Sequence, residues 1–188
     1  VSPAAVKGRQ LSLSLALLAA VAISLIAVPG PEGFFGALLG GLMLAIAIVD
    51  SDSYLIPNQL SFGALALGML RAGSFGPDAD GWAVLWAAAR AFSIVVPLLA
   101  LMAGYRRWRG RDGLGLGDVK LAAVAGAWLS YVTIFAVIEF AALTALGCYL
   151  VTSWLRRRQL RAAAYLPFGL FLAPAIWIGW LAESLFGW

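Results

Sequence analysis

The chain has 188 residues, 63% of them apolar and 12% charged, with a mean hydropathy of +0.93 and a net charge of +4. That length holds one domain and that composition excludes a polar, water-facing exterior, so a single membrane-embedded domain over residues 1–188 is expected. The basic residues lie beside apolar runs, where they orient the chain and meet anionic lipid headgroups, which excludes nucleic acid as the partner implied by a pI near 9.6.

Seven apolar segments predict an all-α, polytopic transmembrane bundle: Leu11–Val28, Gly33–Val49, Gln59–Arg71, Trp82–Gly104, Val119–Leu129, Tyr131–Leu155 and Tyr165–Phe186. The first follows Lys7 and Arg9 as a signal sequence would, but no small-residue cleavage pattern comes after it. Pro29-Gly30-Pro31 reads as a tight turn, so this segment is expected to be retained. A helix needs about 20 apolar residues to cross the hydrocarbon core, and the third and fifth segments fall short of that. Each short segment follows an aspartate, Asp50 or Asp118, and a short helix leaves a dent that water or substrate can enter.

With the N-terminus in the cytoplasm, eleven of the thirteen Lys and Arg residues fall on the inner side: Lys7, Arg9, the arginines between 106 and 111, Lys120, and those between 156 and 161. Arg71 alone is outside and Arg90 lies within a span. This predicts a multi-pass protein of the cytoplasmic (inner) membrane. Trp82, Trp128 and Trp188 fall at outer segment ends, and Trp108 and Trp154 at inner ones, as an interfacial belt requires. On this layout Asp50 and Asp118, 68 residues apart, share the cytoplasmic interface.

Acids at membrane segments are costly and are commonly retained for chemistry or ion handling. Asp118 could serve simply as a helix N-cap, where the dipole favours it. Asp50 ends an apolar run at a helix C-terminus, where the dipole opposes it, and no Lys or Arg lies nearby in sequence. Two interacting carboxylates share a proton and titrate as a pair. One takes a proton from water as it attacks a carbonyl, while the other polarises that carbonyl and helps the amine leave. Sequence does not say which aspartate takes which part. Having no His and only one Cys, Cys148, the chain excludes His catalysis, an intrachain disulfide and Cys- or His-based metal sites; no cofactor and no metal are expected.

Three strings carry a resemblance. Val49-Asp50-Ser51-Asp52-Ser53-Tyr54-Leu55-Ile56-Pro57-Asn58 resembles the first signature of the type IV prepilin peptidases, Asp then six residues then Pro and Asn or Asp. Gly115-Leu116-Gly117-Asp118-Val119-Lys120-Leu121, continuing to Leu129, is similar to the second. Leu166-Pro167-Phe168-Gly169-Leu170-Phe171-Leu172-Ala173 is similar to the third, with Leu170 where a second proline is usual. The resemblance implies an aspartic endopeptidase of the Gly-x-Gly-Asp kind with Asp50 and Asp118 catalytic. Its substrate would be a prepilin or pseudopilin, whose leader is cut after a glycine just before the hydrophobic helix. Only ten residues precede the first span and no Cys-x-x-Cys pair is present. That pattern resembles the short, peptidase-only members, of bacterial pilus or archaeal preflagellin systems.

Supporting roles are expected for Gly115 and Gly117, whose Cβ-free backbone can pass close to a substrate, and for Pro57 and Asn58, which stop one helix and cap the next. Pro167, Phe168 and Gly169 join them through the resemblance. Lys120 could bias the acid pair, hold substrate backbone or simply snorkel, and Asp52 could assist or be a solvated acid. Gly113 and Asp112 belong to the same loop. Arg90 and Glu139 each lie eight residues from the outer end of their spans, about 12 Å deep, and are expected to form a structural ion pair. Pro97 and Pro174 are expected as kinks that neighbouring helices tolerate. The rival readings are a small proton- or cation-coupled transporter using the same two acids, an assembly protein without chemistry, and a Gly-x-Gly-Asp protease with other membrane substrates.

Overall fold

The structure, a computed structural model, describes residues 3–74, 81–110, 115–156 and 167–187. Arg111, Asp112, Gly113, Arg157, Arg158, Arg161 and Trp188 lie outside the described residues. Seven helices appear among those described: α1 Pro3–Ala27, α2 Pro31–Ser53, α3 Asn58–Ser74, α4 Gly81–Arg109, α5 Leu116–Trp128, α6 Tyr131–Leu155 and α7 Gly169–Phe186. Five of them (α1 from Lys7, α2, α4, α6 and α7) are long and apolar enough to cross a membrane. The protein is therefore a polytopic helical bundle. At about 1.5 Å per residue, the 17 residues of α3 and 13 of α5 reach about 26 and 20 Å, short of a ~30 Å hydrocarbon core.

Local chemistry sets the helix ends. Gly30, at φ 95°, turns the chain and Pro31 opens α2, with Glu32 in the first turn. Ser130 caps α6 by accepting from the Thr133 N–H, and Gly187, at φ 67°, closes α7 in the left-handed region. Pro97 and Pro174 both lie inside helices, α4 and α7.

Short α5 is the most enclosed element. Leu121, Val124, Ala125 and Trp128 are fully or almost fully buried, against α3, α4 and α7. Between helices the gain comes from close packing rather than water exclusion, so small residues sit at the crossings. A Cβ on Gly126 of α5 would lie 2.5 Å from Ala91 Cα of α4, and one on Gly36 of α2 would run into the Trp180 ring of α7. Trp128 Nε1 donates to the Ala64 carbonyl across 2.9 Å, locking the end of α5 onto α3. The outer faces of α4 and α6 expose Trp86, Phe92, Phe135 and Leu143, as a lipid-facing exterior should.

The expected Arg90–Glu139 pair is not formed. Arg90 Nε donates to the Gly126 carbonyl at 3.2 Å, and Glu139 is exposed on α6. The expectation rested on equal depth from the helix ends, and depth does not fix azimuth. Glu139 is two positions from the buried Val137 and Ala141, which turns it to the far side of its helix. Moreover, α4 packs on α3 and α5 while α6 packs mainly on α7.

At the end of the bundle where α2 begins and α3 and α5 finish, charges are paired. Arg71 Nε meets Glu32 Oε2 at 2.7 Å, and its guanidinium lies 5.4 Å from the Trp128 ring centroid. Glu183 Oε1 accepts the Ser130 N–H at 2.7 Å, tying α7 to the start of α6.

Candidate active site

Asp50, Asp118, Asn58 and Gly169 all occupy the other end of the bundle, where α2 finishes and α3, α5 and α7 begin. Asp50 lies in the last turn of α2 and is only 4% exposed. The helix closes at Tyr54, which adopts the left-handed conformation (φ 56°) and donates its N–H to the Asp50 carbonyl at 2.9 Å. A non-glycine residue held there is strained and persists only where its surroundings over-determine it. The hook that joins α2 to α3, residues 54–57, then runs through buried Ile56 to Pro57.

The sequence left Asp50 at the unfavourable end of its own helix. Tertiary structure gives it the favourable end of another. Leu170 donates its backbone N–H to Asp50 Oδ2 at 2.9 Å, with the Gly169 N–H also directed at the carboxylate. Pro167 and the N-cap Phe168 thus lead into α7, which starts at Gly169, and the amides and dipole of its first turn face an acid 120 residues away in sequence. Sequence reasoning missed this partnership. The available signal was a proline ahead of an apolar helical run, a helix-start mark that was used only as part of a resemblance. Gly169 is there because of proximity: a Cβ would lie 2.9 Å from Asp50 Oδ2.

Asp118 is not an N-cap. That position belongs to Gly115 (φ −75°, ψ 139°), and Asp118 sits three residues on, inside the first turn of α5. From there its side chain reaches back to the Gly115 N–H, the return half of a capping box. A Cβ on Gly115 would stand 3.2 Å from Asp118 Oδ2. Helix α5 is not one of the spanning helices, yet burial first, and the Asp50 charge second, push the Asp118 carboxyl up to about 6; the Gly115 N–H pulls the other way. The two acids are therefore close enough to feel each other.

The remaining expected residues separate. Lys120 Nζ donates to Asn58 Oδ1 at 2.6 Å, joining the start of α5 to the start of α3. Asp52 receives Arg9 at 2.6 Å, an exposed ion pair linking α1 to the end of α2. Among the described residues, no Lys or Arg lies within ion-pair distance of Asp50 or Asp118. Gly117 faces Ile56 rather than open space, with a Cβ there 3.0 Å from Ile56 Cδ1. Two carboxylates at one end of a bundle, one of them holding its proton at mildly acidic pH, can activate water and protonate a leaving group.

Against known proteins, the type IV leader peptidase family matches residues 37–151, well over half of the chain and both aspartates. The chain belongs to the type IV leader peptidase family. It is 29% identical over 184 residues to the prepilin leader peptidase/N-methyltransferase of Aeromonas hydrophila, covering 93% of this chain and 58% of that protein. With the protein of the same name from Stutzerimonas stutzeri it shares 34% over 142 residues, covering 74% and 46%; with that of Escherichia coli K12 it shares 30% over 149 residues, covering 74% and 60%. The chain thus spans about half the length of the curated relatives it matches. No solved structure gives a significant match. The two acids lie on different helices, and the start of α7, whose amides face Asp50, lies beyond the stretch matched by the family.

Proposed function

We propose that this protein is an aspartic endopeptidase of the cytoplasmic membrane that removes the leader from type IV prepilins or pseudopilins. Cleavage would follow a glycine just ahead of the hydrophobic helix, with the N-terminus and the site facing the cytoplasm. The observation that carries the proposal is the convergence of Asp50 and Asp118 at one end of the bundle, unpaired with any cation among the described residues. A structural acid at such a place would be expected to find a cation. The relatives' printed names supply the substrate class.

The two environments suggest a division of labour. Asp50 Oδ2 accepts backbone N–H groups at a helix N-terminus, which suits the ionised partner, so the shared proton resides on Asp118. Asp50 is then the base that takes a proton from the attacking water. Asp118 is the acid that polarises the scissile carbonyl and donates to the departing amine. Short α3 and α5 lower the bilayer surface locally, giving water and an unwound leader access to the pair. The proposal concerns cleavage, which is what two carboxylates can perform. The methyl transfer also named for the relatives needs a donor site that the pair does not provide.

Co-expression with a prepilin and a gel-shift readout of leader loss tests this. Asp50→Asn and Asp118→Asn are each expected to lower cleavage by at least about 10³-fold, since each removes a member of a unit that acts together. Membrane abundance should be unchanged. Near wild-type cleavage by either variant would refute the assignment.

A further inference from the structure

Three separate motif strings meet on one apolar side chain that none of them accounts for. Ile56 precedes Pro57 in the hook after α2 and is 9% exposed. The three atoms nearest to a Cβ built on Gly117 all belong to Ile56: Cδ1 at 3.0 Å, and Cβ and Cγ1 at 3.1 Å. The atom nearest to a Cβ on Gly169 is again Ile56 Cδ1, at 2.8 Å, followed by Asp50 Oδ2 at 2.9 Å. Gly117 directly precedes Asp118, and Gly169 is one of the two amides facing Asp50. The methyl end of Ile56 therefore stands between the backbone that carries one aspartate and the backbone that steadies the other.

The ordinary explanation of a glycine beside a protease aspartate is clearance for the substrate backbone. Here the clearance at Gly117 is already filled, by protein. We infer that Ile56 is a positioning residue for the aspartate pair: a wedge seated on Gly117 and Gly169 that sets the spacing between the α5 and α7 starts and so between the two carboxyls. This rests on the proposed peptidase reading. Physically, the wedge suits the task. An isoleucine is stiff at χ1, and Ile56 precedes a proline that confines its backbone to the extended region, so its methyl is held at a defined place. A flexible or polar side chain could not fix the spacing, and a shorter one would let the two helix starts drift or admit water.

Close contact makes the inference testable by exchanging volume across it. Purified protein is assayed on a prepilin peptide for kcat and KM, and for Tm in detergent. Ile56→Ala is expected to lower kcat by about tenfold or more with KM within about threefold, because misplacing catalytic groups by an ångström costs rate rather than binding. Ile56→Val, which loses only Cδ1 and keeps Cβ and Cγ1 against Gly117, is expected to fall between the wild type and Ile56→Ala. Gly117→Ala should also lower kcat, since its new methyl meets Ile56. In the double variant Ile56→Ala/Gly117→Ala, two of the three close contacts of the added methyl, Cδ1 and Cγ1, are gone and only the Cβ at 3.1 Å remains, so it is expected to be faster than Gly117→Ala alone and to fall less than the two single effects combined. Gly169→Ala should gain nothing from Ile56→Ala, because its methyl still meets Asp50 Oδ2 at 2.9 Å. Wild-type kcat in Ile56→Ala, or simple additivity with Gly117→Ala, would overturn the inference. A fall in Tm without any change in kcat would equally reduce Ile56 to packing. If the wild type itself cut no prepilin peptide, the peptidase reading would fail instead, while the Tm cycle between Ile56 and Gly117 would still report the contact.

Discussion

The two ends of this bundle treat acidic side chains in opposite ways. Where α2 begins, Glu32 meets Arg71 at 2.7 Å, Arg71 lies over Trp128, and Glu183 accepts a backbone N–H at the turn into α6. Where α2 finishes, Asp50 and Asp118 interact, backbone amides support each of them, and among the described residues Lys120 is engaged on Asn58 and Arg9 on Asp52. One end satisfies its charges and holds helices together. At the other, charge is left uncompensated, which costs stability and preserves reactivity.

That contrast predicts a stability effect of opposite sign at the two ends, largest at Asp118. Its carboxyl is held at about 6 against an ordinary 3.8, so the folded state binds a proton more tightly than the unfolded one. The stabilisation this gives is complete below about pH 4 and is lost as pH rises through about 6. Asp118→Asn removes the dependence. It should be about as stable as the wild type near pH 4 and more stable above about pH 7, by up to roughly 3 kcal/mol, since each tenfold change in proton affinity between the two states is worth about 1.4 kcal/mol. Thermal melts in detergent across this range check the sign. A variant less stable than the wild type at neutral pH would mean that Asp118 is structural after all. Together with its loss of cleavage, the expected outcome would make Asp118 a residue kept against stability.

The opposite end should break in the conventional direction. Arg71→Leu leaves Glu32 without its partner and removes the guanidinium from the Trp128 face, which should lower stability by about 1–2 kcal/mol, between the values for exposed and buried pairs. Cleavage per folded molecule should be unchanged, because the pair stands at the end of the bundle remote from the aspartates. A specific loss of kcat in this variant would show that the two ends are coupled and would blunt the contrast.

How much of this could be read from sequence differs between the ends for the same reason. Helix content, the two short elements and the shared level of Asp50 and Asp118 follow from apolar run length and loop charge, which are local properties. Partner choice is not local. Arg90 and Glu139 were expected to meet from their matching places along the spans, yet two residues around α6 are enough to move a side chain across the helix. Asp50's partners are amides 120 residues away, and amides carry no residue-type signature at all. Ile56 is invisible for a related reason: nothing in its own string distinguishes it from Leu55, and only the fold shows that one is buried at 9% while the other is 69% exposed. Glycine spacing was legible as a pattern, but what each glycine made room for was not.

Lys120 provides the smallest effect and the finest test of the same contrast. Its ammonium was a candidate for tuning the acid pair, yet it donates to Asn58 Oδ1 at 2.6 Å and makes no ion pair with either aspartate. An exposed hydrogen bond from a charged group contributes about 1 kcal/mol or less, so Lys120→Met and Asn58→Ala should each slow cleavage by about twofold to fivefold. If the bond is what matters, the double variant should be no worse than either single one, and the pH at which cleavage declines should stay in place in all three. Were Lys120 instead supplying positive potential to the aspartates, Lys120→Met would raise their affinity for protons and carry that decline to higher pH, with Asn58→Ala having no such effect. A cation would then be acting at the end of the bundle that otherwise leaves its acids without one.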